Sequence, residues 1–235
     1  MFAHSALKAT QHAAALAPHL AAPFVSGAQM APDTIETARP KAGTVLQFSG
    51  NSEIYGEGDA ADCVFKVMSG VVRTCKFLSD GRRQINAFYV AGDLFGLEAG
   101  DVYRLTAEAI NDCVLVAYRR SHLEKGAAQD SRLARQMFSH AMRHMVRAQD
   151  HALLLGRKTA LEKVAAFLTE WAQHSPDSQN VTLEMSRQDM ADYLGLTIET
   201  VSRTLSQLEH SGVIEILVAR QIKIKRQAAL RNMNA

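Results

Sequence analysis

Glu199, Ser202 and Arg203 stand close together in the stretch GLTIETVSRTL, positions 195–205. An arginine can give two parallel hydrogen bonds to guanine O6 and N7, a glutamate can accept from cytosine N4, and a small serine can approach a thymine methyl. The same residues also have a plainer use. Glu199 and Arg203 are four apart, the spacing of a helix-surface ion pair that contributes roughly 0.2–0.5 kcal/mol. The scaffold beneath them decides between the two.

That scaffold is SRQDMADYLGLTIETVSRTLSQLEHSGVIEI, which predicts two helices across a tight turn. The first runs from about Arg187 to Leu194, with Ser186 as N-cap and Asp189 in the capping-box position. Gly195 supplies the turn, Thr197 caps a second helix reaching about His210, and Gly212 stops it. A small Ala191, a turn glycine and an aliphatic Val201 are what two steeply crossing helices require at those places, the signature of a helix-turn-helix. Ile198, Val201, Leu205 and Leu208 are expected to point inward. Glu199, Thr200, Ser202 and Arg203 are then left outward, at the helix end that enters a major groove. On this reading Glu199, Ser202 and Arg203 contact bases. Ser186, Arg187, Gln188, Thr197 and Thr200 contact phosphates, because helix N-termini bind anions through backbone amides as well as side chains. The following VIEILVARQIKIKR reads as two strands turning at Val218 to Gln221, a wing whose Lys223, Lys225 and Arg226 lie near phosphates or are simply solvated.

Upstream, Ala134, Phe138, Ala141, Met145, Ala148, Ala152 and Leu155 step by 4, 3, 4, 3, 4, 3 and are all apolar. A sustained period of 3.5 is the seam of a left-handed coiled coil, so these seven residues predict a dimer interface with a second copy of the chain. The alternative is a long helix packed along its own β domain. Gly156 is expected to end this helix. Another follows, with Leu161, Val164, Ala165, Leu168 and Trp171 on one face, closed by Ser175-Pro176-Asp177; a short strand-like VTLEM leads into the helix-turn-helix.

From about Ile35 to Arg120 short apolar runs are punctuated by Gly58, Gly70, Gly81 and Gly92, about every 11 or 12 residues. That rhythm predicts an antiparallel β-roll, jelly-roll-like, with Val71 to Phe77 forming one arm of a hairpin that turns at Asp80-Gly81. The expected class is α+β: a flexible tail over 1–34, a sensor-like β-roll over 35–127, a dimerisation helix over 128–156 and a winged helix-turn-helix over 157–235.

With 235 residues, 47% of them hydrophobic, the chain has enough material for two ordinary domains. The formal net charge of +2 does not announce a polyanion partner, so any nucleic-acid surface must be local. No apolar run approaches the roughly 20 residues of a membrane span. The Ala-rich start, broken by His12, Pro18 and His19, is a poor secretory signal. Cys63, Cys75 and Cys113 are odd in number and widely spaced, which fits a reducing cytoplasm and structural thiols. No Ser/His/Asp order, phosphate loop or H-E-x-x-H supports an enzyme. His140, His144 and His151 lie beside the seam, and a helical i, i+4 histidine pair can bind a transition metal, although flanking positions are ordinarily just polar. No cofactor and no metal is expected.

EGDAADCVFKVMSGVVRTCKFLSDGRRQINAFYVAGDLFGLE followed by DYLGLTIETVSRTLSQLE resembles the cyclic AMP receptor/FNR family of bacterial transcription regulators, and within it the FixK-like branch. The resemblance spans about residues 35–228. It implies a homodimer on double-stranded DNA, at an inverted repeat of the form TTGAT, four base pairs, ATCAA, whose TTGA core is read by residues matching Glu199, Ser202 and Arg203. It also implies RNA polymerase as a partner and a link to low-oxygen metabolism. Two departures matter. Residues 1–62 hold no cysteine, unlike members that carry a cysteine cluster for a [4Fe-4S] centre near the N-terminus. Members that bind cyclic AMP have a glycine-glutamate pair followed by an arginine-serine pair, whereas here Leu97 follows Gly96 and Leu105 follows Arg104. Arg104 alone leaves nucleotide binding open; the alternative reading is a regulator whose DNA binding is gated by a small ligand in the β-roll, such as a cyclic nucleotide, haem or metal.

Overall fold

A computed structural model describes residues 43–175 and 177–233; the predicted tail over 1–34 lies outside them. Eight strands come first: β1 (Thr44–Phe48), β2 (Glu53–Tyr55), β3 (Cys63–Ser69), β4 (Val72–Phe77), β5 (Arg83–Tyr89), β6 (Leu94–Phe95), β7 (Thr106–Ala109) and β8 (Cys113–Arg119). They form two antiparallel sheets ordered β1-β8-β3-β6 and β2-β7-β4-β5. The four regularly spaced glycines all take positive φ, as turn residues between strands. The hairpin predicted around Asp80-Gly81 is β4-β5, in register from Val72↔Tyr89 to Phe77↔Arg83 with one irregularity between Thr74 and Cys75. Rings fill the space between the sheets: Tyr55 stacks on Tyr103 at 3.6 Å between centroids, and Phe65 on Phe95 at 5.2 Å. Burial of such rings contributes to the stability of the β-roll.

The helical part follows as α1 (Arg120–Gln129), α2 (Ser131–Arg157) and α3 (Ala160–Ala172). Two expected boundaries need correction. The helical part begins at Arg120, inside the span 35–127 expected for the β-roll. Gly126 lies inside α1 because α2 passes close by: a Cβ there would stand 3.0 Å from Leu133 Cδ2. Gly156 does not end α2, which continues to Arg157; Lys158 is the extended C-cap, and Thr159 opens α3 with a capping box to Glu162.

The two sides of α2 differ. Of the predicted seam, Phe138, Ala141, Met145, Ala148 and Ala152 are exposed, joined by Met142, Val146 and Leu153, while Ala134 and Leu155 are half-buried. Phe138 is 67% exposed, an unusual amount for a phenylalanine on a long helix. The opposite side holds the three histidines, all half-buried. His144 Nε2 donates to the Leu94 carbonyl at 2.9 Å, and His151 Nε2 to the Tyr193 carbonyl at 2.8 Å while its ring stacks on Tyr193. Among the described residues no group of three or more His, Cys, Asp and Glu is arranged to hold a metal ion.

Burial lowers the pKa of all three histidines, His140 to about 4. The neighbouring charges are opposed in sign: Arg143 also lowers His140, and Asp93 raises it. As pH falls through about 6.5, the unfolded chain takes up protons that the folded chain refuses. Stability is therefore expected to fall from pH 6.5 downward, for His140 until about pH 4. Thermal melts between pH 7.5 and 5 should show a falling midpoint, and a His140→Gln variant a flatter profile.

The chain ends as β9 (Asn180–Thr182), α4 (Arg187–Leu194), α5 (Ile198–His210), β10 (Ile214–Val218), β11 (Gln221–Ile224) and α6 (Gln227–Asn232), with a sheet ordered β10-β11-β9. Its core does not stop at these elements. Val71, Cys75 and Ile85, from the outer face of β4-β5 and its approach, are buried in one cluster with Val164, Leu168, Met190 and Leu205. Phe88 meets Phe167, Trp171 and Tyr193 at 5.2–6.1 Å. The β-roll and the C-terminal helices therefore share apolar packing, which explains why Val72 to Cys75 are buried on both faces. No helix among the described residues is long and apolar enough to cross a membrane.

Candidate nucleic-acid interface

Two short helices and the turn between them build the site. Ser186 Oγ accepts from the Asp189 backbone N–H at 3.0 Å, and the Asp189 carboxylate accepts from the Ser186 backbone N–H at 3.0 Å, closing the capping box of α4. Gly195 follows with φ +61, and the Leu196 N–H reaches back to the Ala191 carbonyl at 3.0 Å. That left-handed conformation strains any residue with a Cβ. A Cβ there would also stand 3.2 Å from Leu155 Cδ2, so Leu155, expected in the seam, packs at the joint between α2 and the turn. Thr197 caps α5 through the Thr200 N–H at 3.2 Å.

Val201, Leu205 and Leu208 are buried on α5 as expected, together with Thr204, whose hydroxyl returns to the Thr200 carbonyl at 2.8 Å. Ile198 is a correction. It is 38% exposed at the start of α5, whose buried side runs through Val201, Thr204, Leu205 and Leu208. On the other side Glu199 and Arg203 are exposed, and Thr200 and Ser202 half-buried. The Glu199 carboxyl is held below its ordinary range first by its own backbone N–H and then by the Thr197 hydroxyl; the attraction of Arg203 comes last among the lowering causes. Glu199 and Arg203 are thus both exposed side chains near the start of α5. Of the expected phosphate contacts, Gln188 and Thr197 are exposed, and Ser186, Arg187 and Thr200 half-buried. All five lie at the N-terminal ends of α4 and α5, the helix ends that carry partial positive charge.

The wing forms as expected, with Ile214↔Ile224 and Val218↔Gln221 in register and a bulge between Ile216 and Val218. Its charges are partly engaged within the protein. Lys225 Nζ is 3.1 Å from Glu215 Oε2, and Arg226 Nη2 donates to the Ser211 carbonyl at 3.1 Å. The exposed wing tip is apolar at Leu217 and Val218.

One constellation has no counterpart in the sequence reading. Arg73 on β4 donates to Glu108 Oε2 at 2.7 Å and to Asp189 Oδ1 at 2.9 Å. Arg83 on β5 contacts Asp189 and Asp192, the latter at 2.8 Å from Nε. Burial pushes the Asp189 carboxyl up, but hydrogen bonds from Ser186 and then the charges of Arg73 and Arg83 bring it below its ordinary value. Nearby, burial and Glu108 push the Cys75 thiol up to about 12, which leaves it protonated and unreactive. The available signal was Arg73 itself, a charge in the middle of the apolar run VVRTC.

Residues 162–233 match the Crp-like helix-turn-helix domain and residues 45–130 the cyclic nucleotide-binding domain. The second match raises the question of a nucleotide, and the residues do not fit one. Arg104, the cation the resemblance offers for a cyclic phosphate, has its Nε 3.0 Å from Glu98 Oε2 and a side chain 80% exposed. Leu105 offers no hydroxyl. The Tyr103 hydroxyl donates to the Cys63 carbonyl at 2.6 Å, and its ring stacks on Tyr55 between the sheets.

The chain is 47% identical over 210 residues to the nitrogen fixation regulation protein FixK of Azorhizobium caulinodans, covering 85% of each. It is 38% identical over 214 residues to FixK of Rhizobium meliloti, covering 88% of this chain and 98% of the relative. Among solved structures, FixK2 from Bradyrhizobium japonicum superposes with a TM-score of 0.80 at 47% identity, covering 83% of this chain and 98% of that one. With the β-roll, the long helix and the capped helix-turn-helix already described, these likenesses place the chain in the FixK-like branch of the cyclic AMP receptor/FNR family of transcription regulators.

Proposed function

We propose that this regulator acts in the cytoplasm as a homodimeric activator. On this reading it binds a palindrome of the form TTGAT, four base pairs, ATCAA and engages RNA polymerase from that site. The observation that carries the reading is the N-terminal face of α5, where Glu199 and Arg203 are exposed on a capped helix. Arg203 donates to the guanine of each half-site, Glu199 accepts from a cytosine N4, and Ser202 packs beside a thymine methyl. Ser186, Arg187, Gln188, Thr197 and Thr200 hold the flanking phosphates, which sets register without reading sequence. The exposed stripe of Phe138, Ala141, Met145, Ala148 and Ala152 supports pairing of α2 with a second copy. The names of the FixK relatives describe regulation of nitrogen fixation, in keeping with a role in low-oxygen metabolism.

The arginine-carboxylate closure at Arg104 and Glu98 supports DNA binding that needs no nucleotide. Fluorescence anisotropy of the full chain on the palindrome, with nothing added, is expected to show specific binding in the range of about 10⁻⁸ to 10⁻¹¹ M. Binding that appeared only after a cyclic nucleotide, haem or metal was supplied would instead establish a ligand-gated regulator.

A further inference from the structure

We propose that Arg73 and Arg83, two β-roll residues outside the helix-turn-helix, are positioning residues for DNA binding. They clamp α4 against the β-roll and so set the distance at which the two halves of the palindrome are read. The inference rests on the palindrome reading above.

Three observations carry it, together with the seam proposed above. First, the clamp is charge-specific and largely shielded. Two guanidiniums meet the carboxylates of Glu108, Asp189 and Asp192, whose side chains are 18%, 5% and 12% exposed, while Arg73 and Arg83 are 10% and 17% exposed. Removing one member of such a cluster leaves uncompensated charge away from water. Second, the clamp ends on the proposed phosphate contacts. Ser186 Oγ donates to Asp189 Oδ2 at 2.7 Å, and Gln188 Nε2 donates to Asp192 Oδ1 at 2.7 Å. The aspartates held by the β-roll arginines thus hold the side chains that face the DNA backbone.

Third, the far end of α4 is gripped as well. The Tyr193 carbonyl accepts from Gln84 Nε2 on β5 at 3.4 Å and from His151 Nε2 on α2 at 2.8 Å. The helix is therefore held by β4 and β5 at Asp189 and Asp192 and by β5 and α2 at Tyr193, with Val71, Cys75 and Ile85 in the same buried cluster. Finally, α2 carries the proposed dimer seam, so whatever fixes α4 to α2 and the β-roll also fixes α5 relative to the dimer axis. In a dimeric helix-turn-helix protein that geometry sets half-site spacing. A loosened clamp leaves each α5 able to read a half-site, with less preference for the distance between them.

The test uses the full-length chain and three duplexes whose half-sites are separated by three, four and five base pairs, with sedimentation and thermal melts confirming folded dimers. The wild type is expected to prefer four. Arg83→Gln and Arg73→Gln are expected to lose affinity for the four-base-pair duplex on the order of tenfold, a usual size for coupling between sites, and to discriminate less among the three duplexes. Arg83→Lys should restore part of the preference. Should an arginine variant fail to fold, Asp192→Asn removes one partner while keeping its shape, and the same flattening is expected. Arg82→Gln is the charge-matched control, because Arg82 is exposed and pairs with Asp80 inside its own turn; it should retain the wild-type preference. A simple loss of stability would lower affinity for all three duplexes alike. Clamp variants that keep the wild-type spacing preference overturn the inference and leave the DNA-binding reading intact. A wild type that binds none of the duplexes overturns both.

Discussion

Arg203→Ala is expected to cost about 1–3 kcal/mol per half-site, hence roughly 2–6 kcal/mol for a dimer on its palindrome, with preference relaxed at the guanine position. The sign and specificity follow from the geometry. Arg203 is exposed on α5, and its attraction is the smallest of the causes that lower the Glu199 carboxyl. Its guanidinium is thus available for a base edge. Affinity for random DNA should change little, since backbone contacts supply nearly all non-specific binding. Anisotropy titrations on specific and random duplexes at matched salt separate the two, and equal losses on both would make Arg203 a phosphate contact only.

The second large effect is expected at the seam. Met145 is 45% exposed within one chain, so Met145→Glu should leave the subunit folded. In a paired α2 the same change sets two carboxylates against each other in an apolar interface, where burying an unpaired charge is costly. The sedimentation mass should fall to that of a monomer. Affinity for the palindrome should drop about a hundred- to ten-thousandfold, the usual loss when linked sites are uncoupled. An unchanged mass would move the interface off this face of α2.

The parts of the fold governed by local rules were readable in advance. Ser186 with Asp189, Gly195, Thr197 and Gly212 each satisfy a nearby backbone demand, so both helices and the turn between them could be bounded to the residue. The glycine-marked hairpin of β4 and β5 was legible for the same reason. What escaped depends on distant partners. The helical start at Arg120 was missed because α1 carries Gly126 in its interior, where Leu133 of α2 lies close. Arg73 and Asp189 are 116 residues apart, and no spacing rule joins them. Ile198 fits an inward stripe by periodicity, but the first turn of α5 meets less of the core than the turns that follow. Leu155 continues the 3.5 period in sequence while its packing belongs to the helix-turn-helix joint. In the candidate site, the residues facing outward could be named from their own helix, and the residues that hold that helix in place could not.

The most direct test of the account is selection of bound duplexes from a random DNA pool by the full-length chain, with no ligand added. The expected result is an inverted repeat with TTGA cores and a four-base-pair spacer, and loss of the guanine from the consensus when Arg203→Ala is selected in parallel. Recovery of a single unpaired half-site, or of an unrelated sequence insensitive to Arg203, would contradict it.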